Sequence, residues 1–112
     1  MEKNVEIGIL YEYYGSLLSE KQADTIENYY LEDLSLTEIA ELQGVSKQNV
    51  SESLKRSEKA LEEFEEKLQL YKRFSQVQEG FDGFLELIRQ EESDEKYQRY
   101  SSMIKDIMSK LN

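Results

Sequence analysis

An all-α fold is predicted by three features of this 112-residue chain. Apolar residues recur at steps of three and four along most of its length, and no stretch keeps the strict alternation of a half-buried strand. Two segments open with a serine-headed capping box, the local signature of a helix start. With no Pro and only 5 Gly, little in the chain would interrupt long helices.

The elements follow in order. Ile7, Leu10, Tyr14, Leu17 and Leu18 place a first helix at about residues 3–18. Ser19-Glu20-Lys21-Gln22 caps a second, which is apolar at Ala23, Ile26, Tyr29 and Tyr30 and ends in the connection Glu32-Asp33-Leu34. Ser35-Leu36-Thr37-Glu38 opens a short third helix ending near Gln43, and Gly44 suits the left-handed backbone that closes a helix. Ser46 caps a long fourth helix starting at Lys47. Its seam holds Val50, Leu54, Ser57, Leu61, Phe64, Leu68 and Tyr71, widened by Leu70 and Phe74. A fifth helix carries Val77, Phe81, Phe84 and Ile88, with Gly80 and Gly83 costing about 1 kcal/mol each relative to Ala. Beyond Glu91-Glu92-Ser93-Asp94, a sixth carries Tyr97, Tyr100, Ile104, Ile107 and Leu111. The expected organisation is a domain over residues 1–74 that includes the long fourth helix. A helical segment, 75–112, then packs on it or on a second protomer.

Helices three and four have the parts of a helix-turn-helix: a short helix, a three-residue turn containing Gly, and a second capped helix. Ile39 and Ala40 face inward in this reading, and the small Ala40 lets the second helix cross closely. Gly44 makes the turn, Val45 plugs it, and Val50 and Leu54 hold the second helix down. An ordinary helical hairpin uses the same caps and turns. Advancing 100° per residue from Lys47 sets Gln48, Asn49, Glu52, Lys55, Arg56 and Lys59 opposite the apolar seam. Gln and Asn early in such a helix can pair with adenine, and the cations can meet phosphates. The candidate contact surface is therefore Lys47, Gln48, Asn49, Lys55, Arg56 and Lys59. A plain solvated face has the same composition.

Composition excludes more than it identifies. Without Cys or His there is no disulfide, no thiolate nucleophile, no imidazole base and no ordinary zinc site. Gly80 and Gly83 lack the Lys-Ser or Lys-Thr ending of a phosphate-binding loop. No catalytic residues, metal ligands or cofactor are expected, and the glutamates from Glu62 to Glu66 read as a solvated face. Neither a signal peptide nor a membrane span is expected, which points to a cytoplasmic protein without membrane insertion. The 8 Tyr and 4 Phe fall mostly on apolar stripes, which favours core packing over stacking on RNA bases.

Charge weighs against strong unspecific binding. The formal net charge is −10, with residues 35–60 balanced at four cations and four acids. If Lys47, Lys55, Arg56 and Lys59 all met phosphates, the logarithmic salt slope would be only about −3.6 per protomer. A monomer should hold duplex DNA weakly, whereas a dimer with two such faces one turn apart could do better. The seam from Leu54 to Tyr71 could pair with a second copy, but its aromatics suit an intramolecular core better.

Much of the chain resembles the YlxM-type bacterial helix-turn-helix proteins. The resemblance runs through Leu10-Tyr11-Glu12-Tyr13-Tyr14, Leu18-Ser19-Glu20-Lys21-Gln22, Tyr29-Tyr30, Leu34-Ser35-Leu36-Thr37-Glu38-Ile39-Ala40, Gly44-Val45-Ser46 and Leu54-Lys55-Arg56. The central stretch is similar to region 4 of sigma factors, so the implied core is sigma region 4-like, with a long recognition helix and additional C-terminal helices. The resemblance implies a regulatory role tied to the signal recognition particle pathway, through family genes that lie beside the particle's GTPase and its receptor. Expected partners are the particle's RNA or GTPase subunit, or DNA, with a homodimer possible. A dimeric sequence-specific transcription regulator is the alternative, and a protein-interaction module a third class.

Overall fold

The computed structural model describes residues 2–111, and among them every regular element is helical. Helix α1 is Lys3–Tyr14, α2 Glu20–Ile26, α3 Leu36–Gln43, α4 Lys47–Leu68, α5 Leu70–Glu91 and α6 Asp94–Ser109. The chain divides into two compact units, Met1–Tyr71 and Lys72–Asn112.

In the first unit α4 is the central rod, packed on α1, α2 and α3. Ile7, Leu10 and Tyr14 of α1, Ile26 of α2, and Leu54 and Leu61 of α4 form the main core. Each aliphatic side chain removed from water there contributes about 1.5–3 kcal/mol. Ile39, Ala40 and Val50 make a smaller cluster beneath the α3–α4 turn, with Val45 against it. Tyr29 and Leu36 touch both clusters and join them. The apolar seam of α4 is thus spent inside its own chain as far as Leu61, with Phe64 and Tyr71 packed on the same core. Its weak position, Ser57, is fully buried and donates its hydroxyl to the Ser53 carbonyl at 2.8 Å. That bond satisfies the one polar group a small residue brings into a close helix crossing.

Both capping boxes form as the sequence predicts. Ser19 Oγ accepts from Gln22 N–H at 3.2 Å, Ser35 Oγ accepts from Glu38 N–H at 3.1 Å, and each N3 side chain reaches back to its serine amide. Gly44 adopts φ 67°, and Val45 N–H donates to the Ala40 carbonyl at 3.0 Å, the six-to-one bond of a Schellman close.

Three expectations are corrected. The first helix stops at Tyr14 instead of Leu18, and Gly15–Leu17 continues as a single 3-10 turn. After Ile26 the second helix widens into a π-turn, Glu27–Leu31, which re-aims Tyr29 and Tyr30 relative to an unbroken α-helix. The pattern running unbroken from Lys47 to Phe74 is interrupted, because Gln69 takes φ 55° and α5 starts at Leu70. The reason lies far off in the chain. Tyr14 Oη accepts from Leu70 N–H at 3.0 Å, Glu65 Oε1 accepts from Tyr71 N–H at 3.1 Å, and the Tyr14 hydroxyl donates to that same carboxylate. Two side chains from other turns thereby satisfy amides at the start of a new helix. Periodicity carries no trace of such a partner.

The second unit is a hairpin of α5 and α6. Gly80 and Gly83 sit inside one continuous helix, so their propensity cost is absorbed without a break. Ser93 caps α6, accepting from Lys96 N–H at 3.3 Å. Phe74, Phe81 and Leu85 face Ile104 and Met108 across a groove, and Arg89 stacks over the Tyr97 ring at 5.7 Å. Starts and ends thus lie side by side, making the two helices antiparallel.

Candidate nucleic-acid interface

The second helix of the helix-turn-helix owes its exposed face to the burial of the other. Val50, Ser53, Leu54, Ser57 and Leu61 are fixed inward, and rotation by 100° per residue then leaves Lys47, Gln48, Lys55, Arg56 and Lys59 exposed. Ser46 Oγ caps the helix by accepting from Asn49 N–H at 3.0 Å. Lys47 and Lys55 lie about 12 Å apart along the axis. Among the described residues, Lys47, Lys55, Arg56 and Lys59 have no carboxylate within ion-pairing distance, whereas Lys3 pairs with Glu58, Lys96 with Glu92 and Lys110 with Asp106.

The two amides are placed differently from the cations. Gln48 Nε2 donates to Glu52 Oε1 at 3.1 Å, one turn along the same face. Asn49 is half-buried and accepts from Lys21 Nζ at 3.4 Å. A base edge would have to displace both contacts, so the surface is better prepared for phosphate than for adenine. Lys21 is the residue that sequence reasoning missed. It stands 28 positions away, inside a capping box that reads as purely structural, and only the packing of α2 on α4 brings it to the site.

A groove of about 730 Å³ lies beside this face, lined by Glu20, Lys21, Asp24, Asn28, Leu42, Gln43 and Val45. Leu42 is 68% exposed. Gln43 Nε2 donates to Thr25 Oγ1 at 3.2 Å, which ties the end of α3 to α2 and holds the turn. Its wall carries two carboxylates, Glu20 and Asp24, against one cation, Lys21, so the groove is acidic on balance.

Behind the interface, three tyrosine–glutamate pairs lock the elements that carry it. Tyr11 donates to Glu27, Tyr14 to Glu65, and Tyr30 to Glu58 at 2.7 Å. Burial, then the hydrogen bond to a carboxylate, pushes the Tyr11 hydroxyl up to about 12 and raises Tyr30 and Tyr14 as well. Glu58 is buried on α4 and also meets Lys3 Nζ at 3.0 Å, so one carboxylate receives α1 and the π-turn together. The Tyr14 ring is buried, and the half-buried rings of Tyr11 and Tyr30 pack on the main core. Among the described residues no three carboxylates converge on a cation site, and no helix is long and apolar enough to cross a membrane.

Comparison with known proteins agrees with this architecture. Residues 1–107 match the model of the UPF0122 family, described as YlxM / p13-like helix-turn-helix proteins. A UPF0122 protein of Thermoanaerobacter pseudethanolicus is 42% identical over 107 residues, covering 93% of this chain and 92% of the relative. One from Bacillus velezensis is 43% identical over 96 residues, covering 86% and 87%. One from Oceanobacillus iheyensis is 49% identical over 76 residues, covering 68% and 72%.

Proposed function

Because the chain belongs to the UPF0122 family of YlxM/p13-like helix-turn-helix proteins, we propose that it is a non-catalytic regulator that acts by binding through the exposed face of α4. It works in the cytoplasm, in the signal recognition particle pathway, on the particle's RNA or its GTPase subunit. The observation that carries this reading is the set of four cations, Lys47, Lys55, Arg56 and Lys59, standing without carboxylate partners on the solvent side of the second helix of the motif. The rest of the unit Met1–Tyr71 is strongly acidic, so within that unit this is where a polyanion meets least repulsion. The tie to the particle pathway comes from the gene neighbourhood that the YlxM resemblance implies.

A second reading, a dimeric sequence-specific DNA regulator, is favoured by Gln48 and Asn49 in the first turn of α4, where helix-turn-helix proteins address base edges. Their existing contacts with Glu52 and Lys21 weigh for the first reading.

Fluorescence anisotropy with the particle RNA, its GTPase subunit and duplex DNA, each at two salt concentrations, separates the readings. Lys55→Glu with Arg56→Glu should weaken the preferred partner at least tenfold. For an RNA or DNA duplex it should also reduce the salt slope by about 1.8, at 0.9 per phosphate contact. Unchanged affinity for every partner would overturn the assignment of this face. Selective tight binding to a palindromic duplex would promote the second reading.

A further inference from the structure

The unit Lys72–Asn112 has no apolar core of its own. Among its described residues only Ser101 is buried, and that residue is polar. A hairpin of about 40 residues rarely sustains itself without outside support. Yet both helices carry broad apolar stripes, and only part of each stripe faces the other helix. The remainder is Val77, Phe84 (50% exposed) and Leu87 on α5, with Met103, Ile107 (50%) and Leu111 (59%) in and after α6.

These remainders share one side. Along α5, Val77 and Phe84 are rotated by about 60–100° from Phe74 and Leu85, which face α6, at 100° per residue, and Leu87 by about 150°, at the outer edge of the stripe. Along α6, Ile107 is rotated in the same sense by about 100–120° from Ser101 and Met108, which face α5, with Met103 at the outer edge of the stripe and Leu111 just beyond the helix end. In antiparallel helices, equal rotations of the same sign bring both stripes to one flank of the hairpin. The result is a continuous apolar face.

From this we infer that the α5–α6 face is covered by the same face of a second copy of this chain, so that two hairpins close into a four-helix bundle. Area supports that occupant. Six large side chains near half exposure, Leu87 and Met103 at the edge of the face and the rest on it, leave roughly 100 Å² each, so each chain offers at most roughly 600 Å² and two chains the lower end of the ~1,200–2,000 Å² in total that specific interfaces bury. Charge supports it independently. Met1–Tyr71 holds seven Lys and Arg against sixteen Asp and Glu, a net of −9, whereas Lys72–Asn112 holds seven against eight, a net of −1. Two copies repel through the first unit and meet without penalty through the second. Nearly neutral and apolar, the face is a poor match for phosphate or an anionic bilayer.

Sedimentation equilibrium of the full chain tests this. Wild type should run at about twice 13.2 kDa in the tens-of-micromolar range. Phe84→Glu or Ile107→Glu should raise the dissociation constant at least a hundredfold, because a twofold interface loses each side chain twice. Leu42→Glu, at the exposed apolar residue of α3, should leave the mass unchanged. A monomeric wild type, or a dimer that survives both α5 and α6 substitutions, would overturn the inference. If those variants lose helicity, amide exchange in wild type decides. Protection of α5 and α6 should rise with protein concentration, and concentration-independent exchange would refute the bundle. Lys55→Glu with Arg56→Glu leaves this interface untouched, so the binding proposal and the dimer proposal fail separately.

Discussion

The Tyr30–Glu58 pair offers the sharpest quantitative test of how this fold is held. Tyr30 sits in the π-turn and donates to Glu58 at 2.7 Å, and the Glu58 side chain is only 11% exposed. Replacing Tyr30 with Phe removes one oxygen and keeps the ring in place. A hydrogen bond to a charged acceptor contributes about 1.5–3 kcal/mol, and the stranded carboxylate keeps its desolvation cost. Lys3 is exposed and cannot compensate for much of that loss. Tyr30→Phe should therefore destabilise the first unit by about 2 kcal/mol, which at this size lowers the melting temperature by roughly 8–16 °C. Urea unfolding followed by circular dichroism is the assay. The decisive form is a double-mutant cycle with Glu58→Gln, which should return a coupling of about 1 kcal/mol or more. Tyr97→Phe, whose ring lies beneath Arg89, should stay within about 0.5 kcal/mol of wild type. A Tyr30→Phe loss no larger than the Tyr97 control, with coupling near zero, would refute the claim that buried tyrosine–glutamate bonds fasten α4 to the rest.

Other perturbations have clear signs. Gly44→Ala meets nothing within 4 Å but keeps φ 67°, so denaturant unfolding should show a loss of about 1–2 kcal/mol from backbone strain alone. Gly80→Ala and Gly83→Ala point into open space within a helix, and each should raise stability by about 0.5–1 kcal/mol in the same assay. The Tyr11 hydroxyl, ordinarily near 10, is pushed up to about 12 by burial and Glu27. Its contribution is fully present below pH 10 and disappears as pH rises towards 12. Phenolate absorbance should therefore show late-titrating tyrosines whose ionisation coincides with loss of helical signal. Complete tyrosine ionisation near pH 10 in a folded chain would contradict this.

Where the sequence was legible, the causes were local. Ser19, Ser35 and Ser46 cap helices whose amides lie within three residues of them, and Gly44 sits where a side chain would be strained. The inward set of the helix-turn-helix, Ile39, Ala40, Val50 and Leu54, followed from spacing, because a helix has one buried direction and the period identifies it. Once that direction is known, the exposed positions of Lys47, Lys55, Arg56 and Lys59 follow.

Contacts across long stretches of chain were not legible. The break at Gln69 depends on Tyr14 and Glu65, the π-turn lifts Tyr30 towards Glu58, and Lys21 reaches Asn49 from another helix. Local propensity and period therefore determined, from the sequence alone, the helices, their caps and which side of α4 faces water. Tertiary packing decided where the long helix ends, which tyrosines are locked, and what stands beside the amides. Those outcomes depend on groups up to 56 residues apart meeting at hydrogen-bond distance, and a one-dimensional pattern holds no information about which of them will meet.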